Sequence, residues 1–185
     1  MAPFYPLISA ATAAAGLSYG DPATRAAYLA RQYPGDTPDD ARSMGSSQYG
    51  CLLHARACLR EAGLDGTCLY RGKEIDVLRC AYAPYIGQIQ GLIETLARHH
   101  GWYATDDLAD VQPADLLVVG EGTSTHGLVV VGTDGATVYS VDGGQTDPQN
   151  APHGTAIKAC QRTLGARAGQ GVWLGDRRVQ CRIRL

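Results

Sequence analysis

Near Trp102 the spacing of apolar residues along this chain changes, and that change limits the folds open to it. Before it, apolar residues recur at helical spacing; after it they come in short valine-rich runs punctuated by glycine, as strands do. The clearest run is Leu128-Val129-Val130-Val131. Gly132-Thr133-Asp134-Gly135 then supplies a turn, and Thr137 to Val141 returns, the signature of a β-hairpin. Helices first and an antiparallel sheet afterwards predict an α+β fold, with N-terminal helices packed on the sheet.

The helical part is expected to open with Pro6 to Ala15, ended by Gly16. Asp21-Pro22 is a start signal, aspartate as N-cap and proline in the first turn, for a helix running to about Gln32. The polar stretch from Gly35 to Gly50 reads as a loop. A short helix follows, with Leu52, Ala55, Leu59 and Ala62 along one side and Gly63 as its stop, and then a turn at Leu64-Asp65-Gly66. Cys68 to Arg79 is ambiguous, and Tyr85 to His100 carries the longest helical pattern. In the sheet half, Leu116 to Val119, Thr155 to Leu164, Val172 to Leu174 and Val179 to Leu185 read as further strands. Loops are expected over Gly120 to Thr125 and Asp147 to Gly154.

Composition excludes several classes of function. The formal net charge is −2 with no basic stripe, so nucleic acid is not an expected partner, and no apolar run is long enough to span a bilayer as a helix. The alanine-rich opening lacks an early Lys or Arg and is interrupted by Pro3 and Pro6. It reads as a structured segment rather than a signal peptide, so the expected location is cytoplasmic as synthesised, with any export independent of a cleaved signal. None of the six cysteines shows CxxC spacing. Cys68, Cys80, Cys160 and Cys181 would be available for disulfides in an oxidising space, but a chain of this length does not need such staples, and mostly free thiols are expected. His54 and Cys58 are spaced as metal ligands on a helix, yet no further pair completes a site. Neither metal nor cofactor is expected, and His54 reads as a surface or packing residue, with a remote second role as a base.

Cys51 carries the chemical signal. It sits at or just before a helix N-terminus, where unpaired backbone N–H groups favour thiolate over thiol. Nucleophilic cysteine chemistry also needs an imidazole and a group to orient it. His126 stands at the mouth of a strand, and Asp142 closes the returning one. Antiparallel neighbours lie about 5 Å apart, so Asp142 is placed to reach the far ring nitrogen of His126. Gln145 is the substitute orienter. The Cys51 backbone N–H, with Gln48 or Tyr49 adding a side-chain donor, is the expected oxyanion stabiliser.

Two stretches carry a family resemblance. Pro113-Ala114-Asp115-Leu116-Leu117-Val118-Val119 followed by Thr125-His126-Gly127-Leu128-Val129-Val130-Val131 resembles the "PGDLV…HVGIV" pattern of NlpC-like and CHAP-like cysteine peptidases and amidases. These belong to the papain-like superfamily, in which a helix-borne cysteine precedes a sheet-borne histidine. Ser47-Gln48-Tyr49-Gly50-Cys51 takes the place of the nucleophile segment, with Gly50 where the NlpC branch commonly has aspartate. The likeness spans about Ser46 to Gln145. The length suits one domain over 1–185, with the likeness marking a catalytic core over 46–145 between a helical extension over 1–45 and C-terminal strands over 146–185. The likeness also implies amide hydrolysis by Cys51, His126 and Asp142, most often in peptidoglycan peptides, as a lysin or a secreted antibacterial effector would perform. An inhibitory immunity protein would then be a partner. A protein deamidase or acyltransferase toxin, and an inactive binding module on the same fold, are the alternatives.

Overall fold

The structure, a computed structural model, describes residues 4–18, 21–24, 50–64, 67–70, 73–76, 103–105, 110–121, 124–147 and 151–185. Among these residues, helix α1 (Tyr5–Ala14) and helix α2 (Gly50–Glu61) precede nine strands. These are β1 (Thr67–Tyr70), β2 (Lys73–Asp76), β3 (Tyr103–Thr105), β4 (Leu116–Glu121), β5 (Ser124–Asp134), β6 (Thr137–Asp147), β7 (Ala151–Arg167), β8 (Gly171–Leu174) and β9 (Arg177–Arg184). The architecture is α+β, with an antiparallel sheet. Among the described residues no helix is long and apolar enough to cross a membrane.

The sheet closes on itself. Its strand order is β3-β9-β4-β5-β6-β7-β8, and β9 also pairs with β8, so β4 to β9 form a ring to which β3 adds at β9. Strands β1 and β2 form a separate hairpin within the stretch whose sequence pattern is ambiguous. Two apolar clusters follow from the period of two along each strand. Leu117, Val119, Leu128, Val130, Val138, Leu174 and Val179 fill the inside of the ring. Leu116, Val118, Val129, Val141, Ile157, Cys181 and Ile183 point outward and are covered by the helices. Leu116 to Val119 is a continuous apolar run because both of its faces are buried.

Each helix contributes one stripe. Leu7, Ala11 and Ala14 of α1, and Cys51, Ala55, Cys58 and Leu59 of α2, lie on the sheet side. Helix α2 ends as its sequence suggests. Gly63 takes the left-handed conformation at φ 77°, and the Leu64 N–H donates to the Leu59 carbonyl, a Schellman close. At Asp21 the carboxylate accepts the Thr24 N–H at 2.7 Å, the expected N-cap; the remainder of that helix, and the helix expected over Tyr85 to His100, lie outside the described residues. Two loop expectations are corrected. Strand β7 starts at Ala151, because β6 runs on to Asp147 and pairs with it there, and β4 and β5 extend to Glu121 and Ser124.

The sheet also opens locally, and this opening positions the site. Strands β5 and β6 pair from Asp134↔Thr137 to Val129↔Val141, with a register shift between Gly132 and Val130. Past that point β5 pairs with β4, down to Glu121↔Ser124, and β6 pairs with β7, at Asp142↔Lys158 and beyond. The two strands fork, and α2 packs against both of them.

Candidate functional site

The fork is where Cys51, His126 and Asp142 meet. Cys51 is the second residue of α2, set against the sheet by the same stripe that buries Ala55 and Leu59. His126 lies on β5 and Asp142 on β6, and His126 Nε2 is 2.9 Å from Asp142 Oδ2. The carboxylate is fully buried and ionised, so it accepts, and the ring donates from Nε2. The Cys51 side chain hydrogen-bonds the same ring. With Nε2 committed to the carboxylate, Nδ1 is the nitrogen left for the sulfur. The Cys51 backbone N–H belongs to the first turn of α2.

Gln145 also reaches the ring: its Nε2 lies 3.3 Å from His126 Nε2 and donates to the Gly143 carbonyl at 3.4 Å. Because the ring nitrogen is already a donor to Asp142, this is a contact against the ring rather than a second hydrogen bond. Asp142 and Gln145 are an odd number of residues apart, which in a regular strand puts them on opposite faces. Between Asp142↔Lys158 and Gln145↔Ala156 the register shifts, and the extra residue returns Gln145 to the side of Asp142. Gly144, at φ 68°, supplies the backbone for this bulge. Gln48 and Tyr49 lie outside the described residues.

Electrostatics bind the cluster together. Burial alone would lower the His126 pKa, but the hydrogen bond from its ring to Asp142 and the contact with Cys51 outweigh burial and lift it to about 9. Burial would raise Asp142, but His126 and Arg162 bring it down to about 2. At neutral pH the imidazole is therefore protonated, between a carboxylate and a sulfur. Such a setting favours a thiolate and supplies a proton to a departing group.

Three further residues belong to its surroundings: two that sequence reasoning did not assign, and His54, which it read as a surface or packing residue with a remote role as a base. Arg162, from β7, donates to Asp142 Oδ2 at 2.6 Å and to Ser140 Oγ at 3.0 Å; Ser140 donates to Asp142 Oδ1 at 2.7 Å. His54 is the third. It is a packing residue, fully buried, with its ring against Cys58 Sγ at 3.6 Å and hydrogen-bonded to the Val141 carbonyl. Standing one turn along α2 from Cys51, it ties that helix to the strand that carries Asp142. Among the described residues no group of three or more metal-ligating side chains forms. Among the described residues, Cys51, Cys58, Cys160 and Cys181 form no disulfide.

Burial drives the His54 pKa down to about 4; Asp142 opposes this and His126 adds to it. The folded protein thus keeps His54 neutral while an unfolded chain protonates it below about 6.5. Between those values the unfolded state binds the extra proton, so stability is present above about pH 6.5 and is lost as pH falls towards 4. The loss at this one residue is expected to reach about 3 kcal/mol. Urea unfolding of wild type and His54→Leu at pH 7 and pH 4.5 checks it. The wild type should weaken more between the two pH values, and equal slopes would refute the assignment. Across this window folded His126 stays protonated and folded Asp142 stays ionised, and the titration of His126 in the unfolded chain is common to both proteins, so it cancels in the comparison.

Comparison with protein-family models, with curated proteins and with solved structures finds no match to this chain.

Proposed function

We propose that this protein is a papain-like cysteine hydrolase that cleaves amide bonds by acyl transfer, with peptidoglycan peptides as the first substrate class to test. The observation carrying this reading is the convergence at the fork. A cysteine in the first turn of a helix hydrogen-bonds an imidazole whose far nitrogen is held 2.9 Å from a buried carboxylate. Packing alone gives no reason for three such groups, from three separate elements, to meet in that order. A local detail agrees with the resemblance: Ala114 stands where the PGDLV pattern has glycine, and its φ is 73°, the left-handed region glycine favours.

In this reaction the Cys51 sulfur attacks the amide carbonyl carbon and a C–S bond forms. The oxyanion that develops is met by the Cys51 backbone N–H. His126 gives its proton to the departing nitrogen as the C–N bond breaks, leaving a thioester. The now neutral imidazole takes a proton from water, the hydroxide attacks the thioester, and the C–S bond breaks to release the acid. Asp142 holds the ring with Nδ1 towards the sulfur throughout, which is the role of the third member in a nucleophile–base–orienter set.

Thiol labelling is the direct test. Cys51 is 6 % exposed, whereas Cys160 is half-buried, so among the cysteines whose burial is described access alone ranks Cys160 first. Burial and the neighbouring Asp142 push the Cys160 thiol up, so it is the less reactive form at neutral pH. Iodoacetamide at pH 6 is expected to label Cys51 faster than the other cysteines, on the order of tenfold or more. Equal, slow labelling would leave an inactive binding module on this fold. With labelling selective, release of new amino groups from purified peptidoglycan supports the wall hydrolase. Ammonia released from glutamine-containing proteins, with peptidoglycan untouched, would shift the reading to a deamidase.

A further inference from the structure

The hydrolase reading uses three side chains, yet Asp142 has more partners than that chemistry requires. Its Oδ1 accepts from Ser140, and its Oδ2 accepts from both His126 and Arg162. Arg162 also donates to Ser140, so guanidinium, hydroxyl and carboxylate close a ring of hydrogen bonds. From this geometry we infer that Arg162 is a positioning residue for His126: it fixes the carboxylate plane and shares its charge, so that the imidazole is aligned while its proton stays transferable. The inference rests on the hydrolase reading of the site.

Two consequences of the ring support it. A carboxylate gripped at both oxygens cannot rotate, so the direction of the His126 hydrogen bond is set from β7 rather than by Asp142 alone. A planar fork that bridges two acceptors does this; a point charge does not. The second consequence is electrostatic. An imidazolium with sole claim on a buried carboxylate is held too firmly to be a good acid, since general acids work best with a pKa near the working pH. Arg162 takes part of that negative charge at 2.6 Å and so limits the rise at His126.

Other charged and titratable neighbours do not supply this function. Cys51 and His54 approach from α2, and His54 stays neutral. Cys160, on β7, is pushed further towards its neutral thiol by burial and by Asp142. Lys158, its neighbour on the same strand, donates to the Thr146 carbonyl. Among the described residues, Arg162 is the cation besides His126 that contacts the carboxylate.

Arg162 also links β7 to β6, and a purely structural role would alter stability without altering how His126 titrates. The test is therefore an NMR titration of ¹⁵N-labelled histidine in the whole protein, run beside the pH dependence of iodoacetamide labelling at Cys51. Arg162→Gln is expected to raise the His126 midpoint by about one unit and to carry the upper limb of the labelling profile with it. Arg162→Lys keeps the charge and loses the bridge. Its His126 midpoint should stay near that of the wild type, while labelling at pH 7 slows severalfold. An unmoved midpoint in folded Arg162→Gln overturns the inference and leaves the hydrolase reading in place if Cys51 is still selectively labelled. Should that variant not fold, wild-type labelling in Arg162→Lys overturns it equally. A wild-type Cys51 that resists labelling removes both readings.

Discussion

Cys51→Ala is expected to lower amide turnover by at least about 10⁴-fold, and His126→Ala by a similar factor, with the double variant no worse than either. The non-additivity is the sharper part of this expectation. Cys51 and His126 act as one proton-sharing pair, so removing the second member after the first takes away nothing further. Stability should move far less. Cys51 is small, and alanine keeps most of its packing in the stripe beside Ala55 and Leu59. A loss of about 1 kcal/mol would lower the melting temperature by roughly 2–4 °C for a chain of this size. The His126 titration offers a second readout that needs no substrate. Part of its lift to about 9 comes from the contact with Cys51, so in Cys51→Ala the midpoint should fall. Turnover retained in Cys51→Ala would refute the nucleophile, and an unchanged His126 midpoint would refute the pairing.

Much of this arrangement was legible in the chain because it depends on local pattern. Leu128 to Val131, Gly135 and Thr137 to Val141 carry their own strand and turn chemistry, and the hairpin places His126 and Asp142 just beyond its last pair, Val129↔Val141. Gly63 ends α2 by a cap that needs only its own backbone. The rest depends on register and closure, which periodicity does not contain. Ser140 reaches Asp142 along β6 itself, two residues away on one face, but Arg162 reaches it only because β7 pairs with β6 at one register, with Ser140 opposite Cys160. Gln145 joins the same side only through the bulge at Gly143-Gly144, since plain alternation sends it to the other face. His54 shows the same limit on a helix. Its phase puts it beside the apolar stripe, but whether it meets water or a strand depends on how α2 lies over the fork. The closure of the sheet through β8 and β9 is likewise a tertiary fact, invisible in two short runs separated by a turn.

Asp142→Ala should be the most damaging single change to stability at this site, because three donors lose their acceptor at once. The carboxylate is fully buried, and the Arg162 side chain is 19 % exposed, so the guanidinium left behind recovers little solvation. Removing one member of such a pair costs about 3–5 kcal/mol, which corresponds to a fall in melting temperature on the order of 10 °C. Turnover should drop as well, by about 10²–10⁴-fold, since a ring without its orienter presents the wrong tautomer to the sulfur. Asp142→Asn separates the two effects, keeping the shape and the contact with Ser140 while losing the charge. Its signature is in the pH dependence. In the wild type the Asp142 contribution is present above about pH 4 and is lost as pH falls through about 2, the folded carboxylate having the lower pKa. The His126 contribution has the opposite sense: it is full below about pH 6.5 and is lost as pH rises through about 9. Both contributions stem largely from one ion pair, so Asp142→Asn should flatten the stability profile at its acid and alkaline ends together. A variant that loses only the acid limb would mean that His126 draws its charge from Cys51 rather than from Asp142, and the orienting role would pass to Gln145, 3.3 Å from the same ring nitrogen.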